Sequence, residues 1–499
     1  MRNAVQLITY ADRLGGDLPG LRRVLTERFG DAFGGVHILP FFTPYDGADA
    51  GFDPVDHTAV DPRLGSWADV RAIAGSHEVM ADLIVNHVSA DSPAFLDVRA
   101  RGEESPHYPM FLTMSSVFPD GAREEELTRI YRPRPGLPFT VMRLGRRWRC
   151  VWTTFTSQQI DIDVASEQGR AYLSAILDAV AAAGVSSIRL DAVGYAIKTP
   201  GTTSFMTPET FAFIEAFAAS ARERGMDVLV EVHSYYERQI AIGRSVDLVY
   251  DFALPPLVLH ALYTKDATAL AEWMRIRPTN AVTVLDTHDG IGVIDVGADQ
   301  TVEPGEPPRP GLLTPDQIEA LVAGIHTRTD GASAQATGAA ASNLDLYQVN
   351  STYYSALGGD DRRYLAARAI QFFTPGVPQV YYIGALAGAN DLDLLHRTGV
   401  GRDINRHYYT AAELDQNLQR PVVQALLALC RFRNALPAFD GEVVTTVDGS
   451  RLTLQRRGAA VPSASAVLTV DLSDGSAAIE WSGPDGSGRT EDLLAAPPA

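Results

Sequence analysis

The chain has 499 residues, 46% of them hydrophobic and 21% charged, with a formal net charge of -19 and a pI near 5.0. That is the composition of an ordinary soluble globular protein, which excludes disordered and fibrous classes. The acidic balance argues against nucleic acid or an anionic membrane as partner, because both need a basic surface. The length allows about three domains, or one large barrel with attachments. Cys150 and Cys430 lie far apart and match no metal or redox spacing, so both are expected to be reduced and structural. The N-terminus lacks the apolar run of about 7 to 15 residues that a signal peptide needs, and no stretch approaches the roughly 18 apolar residues of a membrane span. A cytoplasmic protein is expected.

Short apolar runs recur along the chain: Val5 to Tyr10, Val36 to Leu39, Val79 to Val85, Ser187 to Val193, Val228 to Val232, Leu248 to Leu254, Ala281 to Asp286 and Val377 to Ile383. Eight such strands separated by helical segments predict a parallel (β/α)8 barrel of the TIM type, an α/β fold. Ser166 reads as the N-cap of a helix whose apolar face carries Tyr172, Leu173, Ile176, Leu177 and Val180. A second helix runs from Thr207 through Phe211, Phe213, Ile214 and Phe217 to Gly225. The alternation breaks twice, each time after the C-terminal end of a strand, where barrel enzymes carry their working loops. The first break, residues 87–166, holds Tyr131 to Gly136, too rich in proline for a helix. The second, residues 291–358, holds one helix beginning near Thr314 and the Ala-rich stretch Ala336 to Asn343. Both are expected to be lobes over one mouth. The barrel then comprises 1–86, 167–290 and 359–437. Beyond it, Val443 to Val447, Leu452 to Gln455 and Ala466 to Val470 alternate as strands, so 438–499 is expected to be a small β domain.

Acids end several of these strands. In Ser187 to Val193, side-chain alternation sends Arg189 and Asp191 to the same side. A fixed cation beside Asp191 is expected to lower its pKa and keep it ionised, as a nucleophile requires. Glu231 follows Leu229-Val230, Asp289 follows Leu285-Asp286-Thr287-His288, and Asp82 to His87 closes the third strand. Two carboxylates flanking a glycosidic bond are the minimum machinery of glycoside chemistry, one as nucleophile and one as proton donor. Glu231, crowded by anionic aspartates, is expected to have a raised pKa and act as the general acid. Asp289 is then placed to stabilise positive charge at the anomeric carbon.

The order and spacing of these four stretches resemble the diagnostic regions of the α-amylase superfamily of retaining α-glycosidases and transglycosidases, and Asp161-Ile162-Asp163 resembles that superfamily's return from its inserted domain. Within it, the chain closely resembles the bacterial sucrose phosphorylases. The stretches that carry this are Gln6 to Arg13, Phe41 to Pro44, Asp49 to Pro54, Tyr131 to Pro138, Gly338 to Tyr354 and Gly401 to Arg406. The resemblance implies cleavage of sucrose by inorganic phosphate to α-glucose 1-phosphate and fructose with retained configuration. It also implies a glucose pocket closed at its far end by Asp49 and Arg402. His87, Arg189, His233 and His288 would surround the sugar, with Phe52 and Phe155 against its apolar face. Phosphate beside three acids needs a fixed cation, and Arg134 on the stiff Pro133-Arg134-Pro135 loop is the candidate, with Tyr347 adding a hydroxyl. Asp345 and Gln348 would meet the acceptor sugar by hydrogen bonding, and Asp345 would repel a phosphorylated one. No organic cofactor is suggested. Many amylases use the equivalent of Asn86 for calcium, but no cluster of the six to eight oxygen ligands of a calcium site is legible, so no metal is expected. A homodimer is the expected assembly. The rivals are a phosphorylase acting on sucrose 6'-phosphate or glucosylglycerol, a retaining α-glucosidase or transglucosidase, and an inactive member serving as a binding subunit.

Overall fold

The computed structural model describes residues 1–132, 136–299, 308–337 and 348–498. Eight parallel strands run along the chain: β1 (Gln6–Thr9), β2 (Gly35–Ile38), β3 (Glu78–Ile84), β4 (Ser187–Asp191), β5 (Asp227–Val230), β6 (Leu248–Asp251), β7 (Ala281–Thr283) and β8 (Val377–Tyr381). They close a barrel in the order β1-β8-β7-β6-β5-β4-β3-β2. The strands are apolar and buried on both faces, as a parallel sheet covered by helices requires. The register between β3 and β4 places Arg189 opposite Asp82 and Asp191 opposite Ile84.

All eight sequence runs end sooner as strands than their hydrophobicity suggests, β6 and β7 by the most. β6 stops at Asp251, and Leu254 instead opens a buried helix, Leu254–Thr264, with Pro255 in its first turn. β7 stops at Thr283, and the chain bends so that the Asp286 carboxylate meets Arg368 Nη2 at 2.6 Å. Apolar runs cannot by themselves distinguish the end of a buried strand from the start of a buried helix.

Helix α1 (Glu167–Ala182) begins at Ser166, whose hydroxyl accepts from the Gly169 amide at 2.9 Å, and buries Leu173, Ile176, Leu177 and Val180 on the barrel. Helix α2 (Pro208–Arg222) is capped by Thr207 and buries Ile214 and Phe217, while Phe211 and Phe213 are only partly covered. In the second lobe, α3 (Pro315–Arg328) follows Thr314 in a capping box with Gln317. Most of the Ala-rich stretch after Ala336 falls outside the described residues. The first lobe is tied at its base, where His87–Ser89 pairs antiparallel with Gln159–Asp161. The second is tied where Ile291–Gly292 pairs with Gln348–Val349. Each excursion therefore leaves and returns at the same place.

After α4 (Asp361–Phe373) and α5 (Pro421–Ala435), the C-terminal sheet is five-stranded and antiparallel: β9 (Val443–Asp448), β10 (Arg451–Arg457), β11 (Ser465–Asp471), β12 (Ser476–Gly483) and β13 (Gly486–Thr490). The last strand, rich in glycine and serine, carries little alternating signal. Phe439 joins sheet to barrel, packing edge-on to Phe373 and Phe432, with the Arg433 and Arg456 guanidinium groups over its ring. Both cysteines are free, and burial pushes the Cys430 thiol up to about 12, so it is inert.

Arg368 has no solvent exposure, and its charge is met by Asp286 while Tyr364 and Gln371 take its other donors. Asp286→Ala would leave that charge buried without a carboxylate, so a loss of about 3–5 kcal/mol is expected. A lower urea midpoint than wild type is the measurement.

Candidate active site

The C-terminal ends of the strands bring the three sequence-designated acids together. Asp191 is the last residue of β4, Glu231 follows β5 directly, and Asp289 lies on the loop after β7. Their side chains are 14%, 14% and 12% exposed, so they line a pocket rather than a surface. Ala192, immediately after Asp191, has φ +54°, a conformation a residue with a Cβ adopts at a cost. That turn aims the Ala192 amide at Glu231 Oε2, at 3.3 Å.

Arg189 Nη1 donates to Asp191 Oδ1 at 3.0 Å and to Asp82 Oδ1 at 2.5 Å, and is thus shared between two carboxylates. Asp82 also takes His37 Nε2 at 3.0 Å. Burial opposes ionisation of Asp82, but His37 and Arg189 together bring it down to about 2. For Asp191 the outcome differs from the sequence expectation. Burial pushes its carboxyl well above the ordinary range, Arg189 opposes this, and the negative charges of Glu231, Asp82 and Asp49 add to the rise. Sequence alternation shows that Arg189 is adjacent, but the buried Asp82 that takes half of its charge comes from another strand.

Asp289 behaves in the opposite way. Burial raises its pKa, but Arg402, His288, His233 and Arg406 outweigh it and hold the carboxyl well below the usual range. Arg402 Nη1 lies 2.9 Å from Asp289 Oδ1 and 3.6 Å from Asp49 Oδ1, so the expected Asp49–Arg402 pair is present and is extended to Asp289. Arg402 sits on a 3-10 turn, Gly401–Asn405, fastened to the loop after β7 by Asn405 Nδ2 to Thr287 O and Arg406 Nε to His288 O. Asp49 also accepts from Gln159 Nε2 at 2.8 Å.

Phe52 stacks on His288 with centroids 4.6 Å apart and rings 8° from parallel, and Arg189 lies 5.5 Å from the Phe52 centroid. His87 Nε2 donates to Phe52 O at 2.9 Å, and its ring meets Phe155 edge-on. Burial lowers the pKa of both His87 and His288, which keeps them neutral hydrogen-bonding groups. His233 approaches Glu231, Nε2 to Oε1, at 3.7 Å. Gln348 Oε1 accepts the Gly290 amide at 3.2 Å, so the second lobe reaches the residue next to Asp289. Arg134, Asp345 and Tyr347 lie outside the described residues.

Sequence reasoning missed several residues of this site. Gln159 carries no motif signal. Tyr195, on the 3-10 turn after β4, packs with Phe155 and Phe205, and Tyr131 packs on Phe205, forming an aromatic wall. Lys198 is fully enclosed. Its ammonium meets Asp161 Oδ2 at 2.7 Å, Asn86 Oδ1 at 2.8 Å and the Tyr195 carbonyl. The Asn86 oxygen that suggested calcium chemistry is thus engaged with a protein cation. Glu231, His233 and Asp289 bring one ligand atom each within 4.8 Å of one another, but Arg402 holds Asp289 and Asp295 holds His233. Among the described residues no helix is long and apolar enough to cross a membrane.

A closed parallel barrel with two inserted lobes and a C-terminal antiparallel sheet gathers its acids at the C-terminal mouth, and this fold matches the crystal structure of the α-amylase from H. orenii with a TM-score of 0.67 at 15% identity, covering 95% of this chain and 90% of that one. No protein-family model matches the chain. It is 57% identical to the sucrose phosphorylase of Bifidobacterium adolescentis over 508 aligned positions, covering 100% of this chain and 99% of that protein. It is 60% identical to the sucrose phosphorylase of Agrobacterium vitis over 487, covering 97% and 98%. The crystal structure of sucrose 6F-phosphate phosphorylase from Thermoanaerobacter thermosaccharolyticum superposes with a TM-score of 0.88 at 37% identity, covering 98% of each chain. The chain belongs to the sucrose phosphorylase family.

A raised Asp191 pKa has a kinetic signature. A carboxyl that must be ionised to attack is still protonated at pH values where an exposed aspartate, near about 4, has ionised. The acid limb of kcat/KM should therefore lie above that range, with rate falling as pH falls through it. Arg189→Gln removes the opposing cation and should move the limb to still higher pH.

Proposed function

We propose that this protein catalyses the reversible phosphorolysis of sucrose to α-D-glucose 1-phosphate and D-fructose by double displacement. The observation that carries the reading is the convergence of Asp191, Glu231 and Asp289 on one pocket closed by Arg402 and Asp49, in a chain so similar to two sucrose phosphorylases. In the first half-reaction the Asp191 carboxylate attacks the anomeric carbon as Glu231 gives its proton to the fructosyl oxygen. The C1–O bond breaks with its electron pair on that oxygen, fructose leaves, and a β-linked glucosyl ester remains on Asp191. Phosphate oxygen then attacks the same carbon as Glu231 takes back a proton from the phosphate, the ester bond breaks back to the Asp191 carboxylate, and the second inversion restores the α configuration. Asp289, kept ionised by Arg402, is assigned to stabilise the positive charge that develops at the anomeric carbon.

The acidic pocket favours a neutral acceptor. By sequence, Asp345, Tyr347 and Gln348 offer an acid, a phenol and an amide rather than the cation a phosphorylated fructose would need, and Arg134 is assigned to the incoming phosphate. Sucrose 6'-phosphate is the competing substrate, given the likeness to the solved phosphorylase named for it. The proposal includes a cytoplasmic enzyme without cofactor, acting as a homodimer. The exposed side chains of Val141 and Trp148 on the first lobe's hairpin, 63% and 68% accessible, support a covered face, which sedimentation of Trp148→Glu would test.

Asp191→Asn should cut turnover by about 10⁴-fold or more, since the amide cannot form the ester. Proton NMR of the wild-type reaction should show the α-anomer first. Wild-type turnover in the variant, or a β-anomer, would sink the double-displacement reading.

Arg134→Ala should weaken the use of phosphate by about 1.5 to 3 kcal/mol while leaving glucosyl transfer to water little changed. Equal losses in both would make Arg134 a structural residue. For the acceptor, kcat/KM for sucrose should exceed that for sucrose 6'-phosphate by several orders of magnitude at equal phosphate concentration, and the reverse preference would replace the substrate assignment.

A further inference from the structure

Behind His233, on the side away from the pocket, stands a carboxylate with no part in the chemistry above. Asp295 lies on a 3-10 turn, Ile294–Val296, and has no solvent exposure. Its Oδ2 takes His233 Nδ1 at 3.0 Å. Its Oδ1 takes the Ser234 amide at 3.1 Å and Gln239 Nε2 at 2.8 Å. Three donors from two segments converge on one buried carboxylate, so its orientation is over-determined. The imidazole is also held from its face, stacked on Phe252 at 3.8 Å.

We propose that Asp295 is a positioning residue for glucosyl transfer: by gripping His233 at Nδ1 it fixes the ring so that Nε2 faces the Glu231 carboxyl. The inference rests on Glu231 being the acid/base of the proposed reaction. When Glu231 releases its proton to the leaving oxygen, a carboxylate appears 3.7 Å from an imidazole whose other nitrogen is already bonded to an anion. The ring can then carry positive charge beside the new carboxylate without being left unpaired. Burial opposes that charge, but Asp295 behind the ring and Glu231 and Asp289 on the pocket side together outweigh it and shift His233 above its ordinary pKa. Beyond Asp295, Arg238 donates to Ser234 Oγ and pairs with Asp299 at 3.1 Å, so this cation is matched by its own anion.

The backbone supplies a second handle. A Cβ on Gly292 would lie 2.5 Å from Asp295 Oδ2 and 3.4 Å from His233 Nδ1. Gly292→Ala therefore pushes the carboxylate off the ring without removing its charge. The test measures kcat, KM and pH profiles of sucrose phosphorolysis for Asp295→Asn and Gly292→Ala, with thermal unfolding to confirm folding. Asp295→Asn should lower kcat by about tenfold to a hundredfold, the usual loss when a histidine loses its orienting partner, with KM for sucrose little changed. Without the anion behind it His233 gives up its proton at lower pH, so the alkaline limb should shift from its wild-type position, and Gly292→Ala should shift it the same way. A folded Asp295→Asn enzyme with wild-type kcat, or with reduced kcat and an unmoved limb, overturns the proposal. If that variant does not fold, unchanged kcat and limb in Gly292→Ala overturn it instead. Asp191→Asn reports separately on the reaction itself, so failure of that reading is distinguishable from failure of this one.

Discussion

Arg189 is the charge on which the mouth of the barrel depends. It is nearly without solvent, and it bridges Asp82 on β3 to Asp191 on β4. A guanidinium buried there has to be paired, and two buried carboxylates so close have to share a cation. The register that brings Arg189 opposite Asp82 is therefore an electrostatic requirement as well as a packing one. His37 on β2 completes the row, so three adjacent strands are tied at the level where the site begins. Phe52 lies against the same guanidinium and passes the constraint to His288, and through His87 to the first lobe.

The pocket accumulates negative charge in a protein already at -19, and cations are shared among its carboxylates. Arg402 spans Asp49 and Asp289, Arg189 spans Asp82 and Asp191, and Lys198 holds Asp161 with Asn86. The division is uneven in its effects. Asp289 shares Arg402 with Asp49 but has His288, His233 and Arg406 beside it and stays ionised, whereas Asp191 shares Arg189 with Asp82 and is dominated by burial. Two aspartates of identical chemistry at one mouth are thereby set apart.

The lobes are closed by short antiparallel ties, and lobe side chains such as Phe95, Phe111, Leu321 and Ile325 join the main core. His87–Ser89 with Gln159–Asp161 and Ile291–Gly292 with Gln348–Val349 close each excursion at the rim. His87, Gln159 and Gln348 all lie on these ties, so closing the lobe and furnishing the pocket are the same event.

The eight strands, both capped helices and the three acids were legible in the sequence because each has a local cause: β-branched runs, an oxygen-bearing cap, an acid at a strand end. Arg189 beside Asp191 was legible too, since alternation along one strand is a local rule. The sense of the Asp191 shift was not, because it depends on burial and on Asp82, which reaches Arg189 only across the β3–β4 register. Gln159, Lys198 and Asp295 carry no motif; each acquires its role from partners tens of residues away in the chain, at Asp49, at Asn86 and Asp161, and at His233. Periodicity and caps thus determine which elements form and where their acids lie, while the sharing of buried charge among those acids is a property of distances that exist only after the barrel has closed.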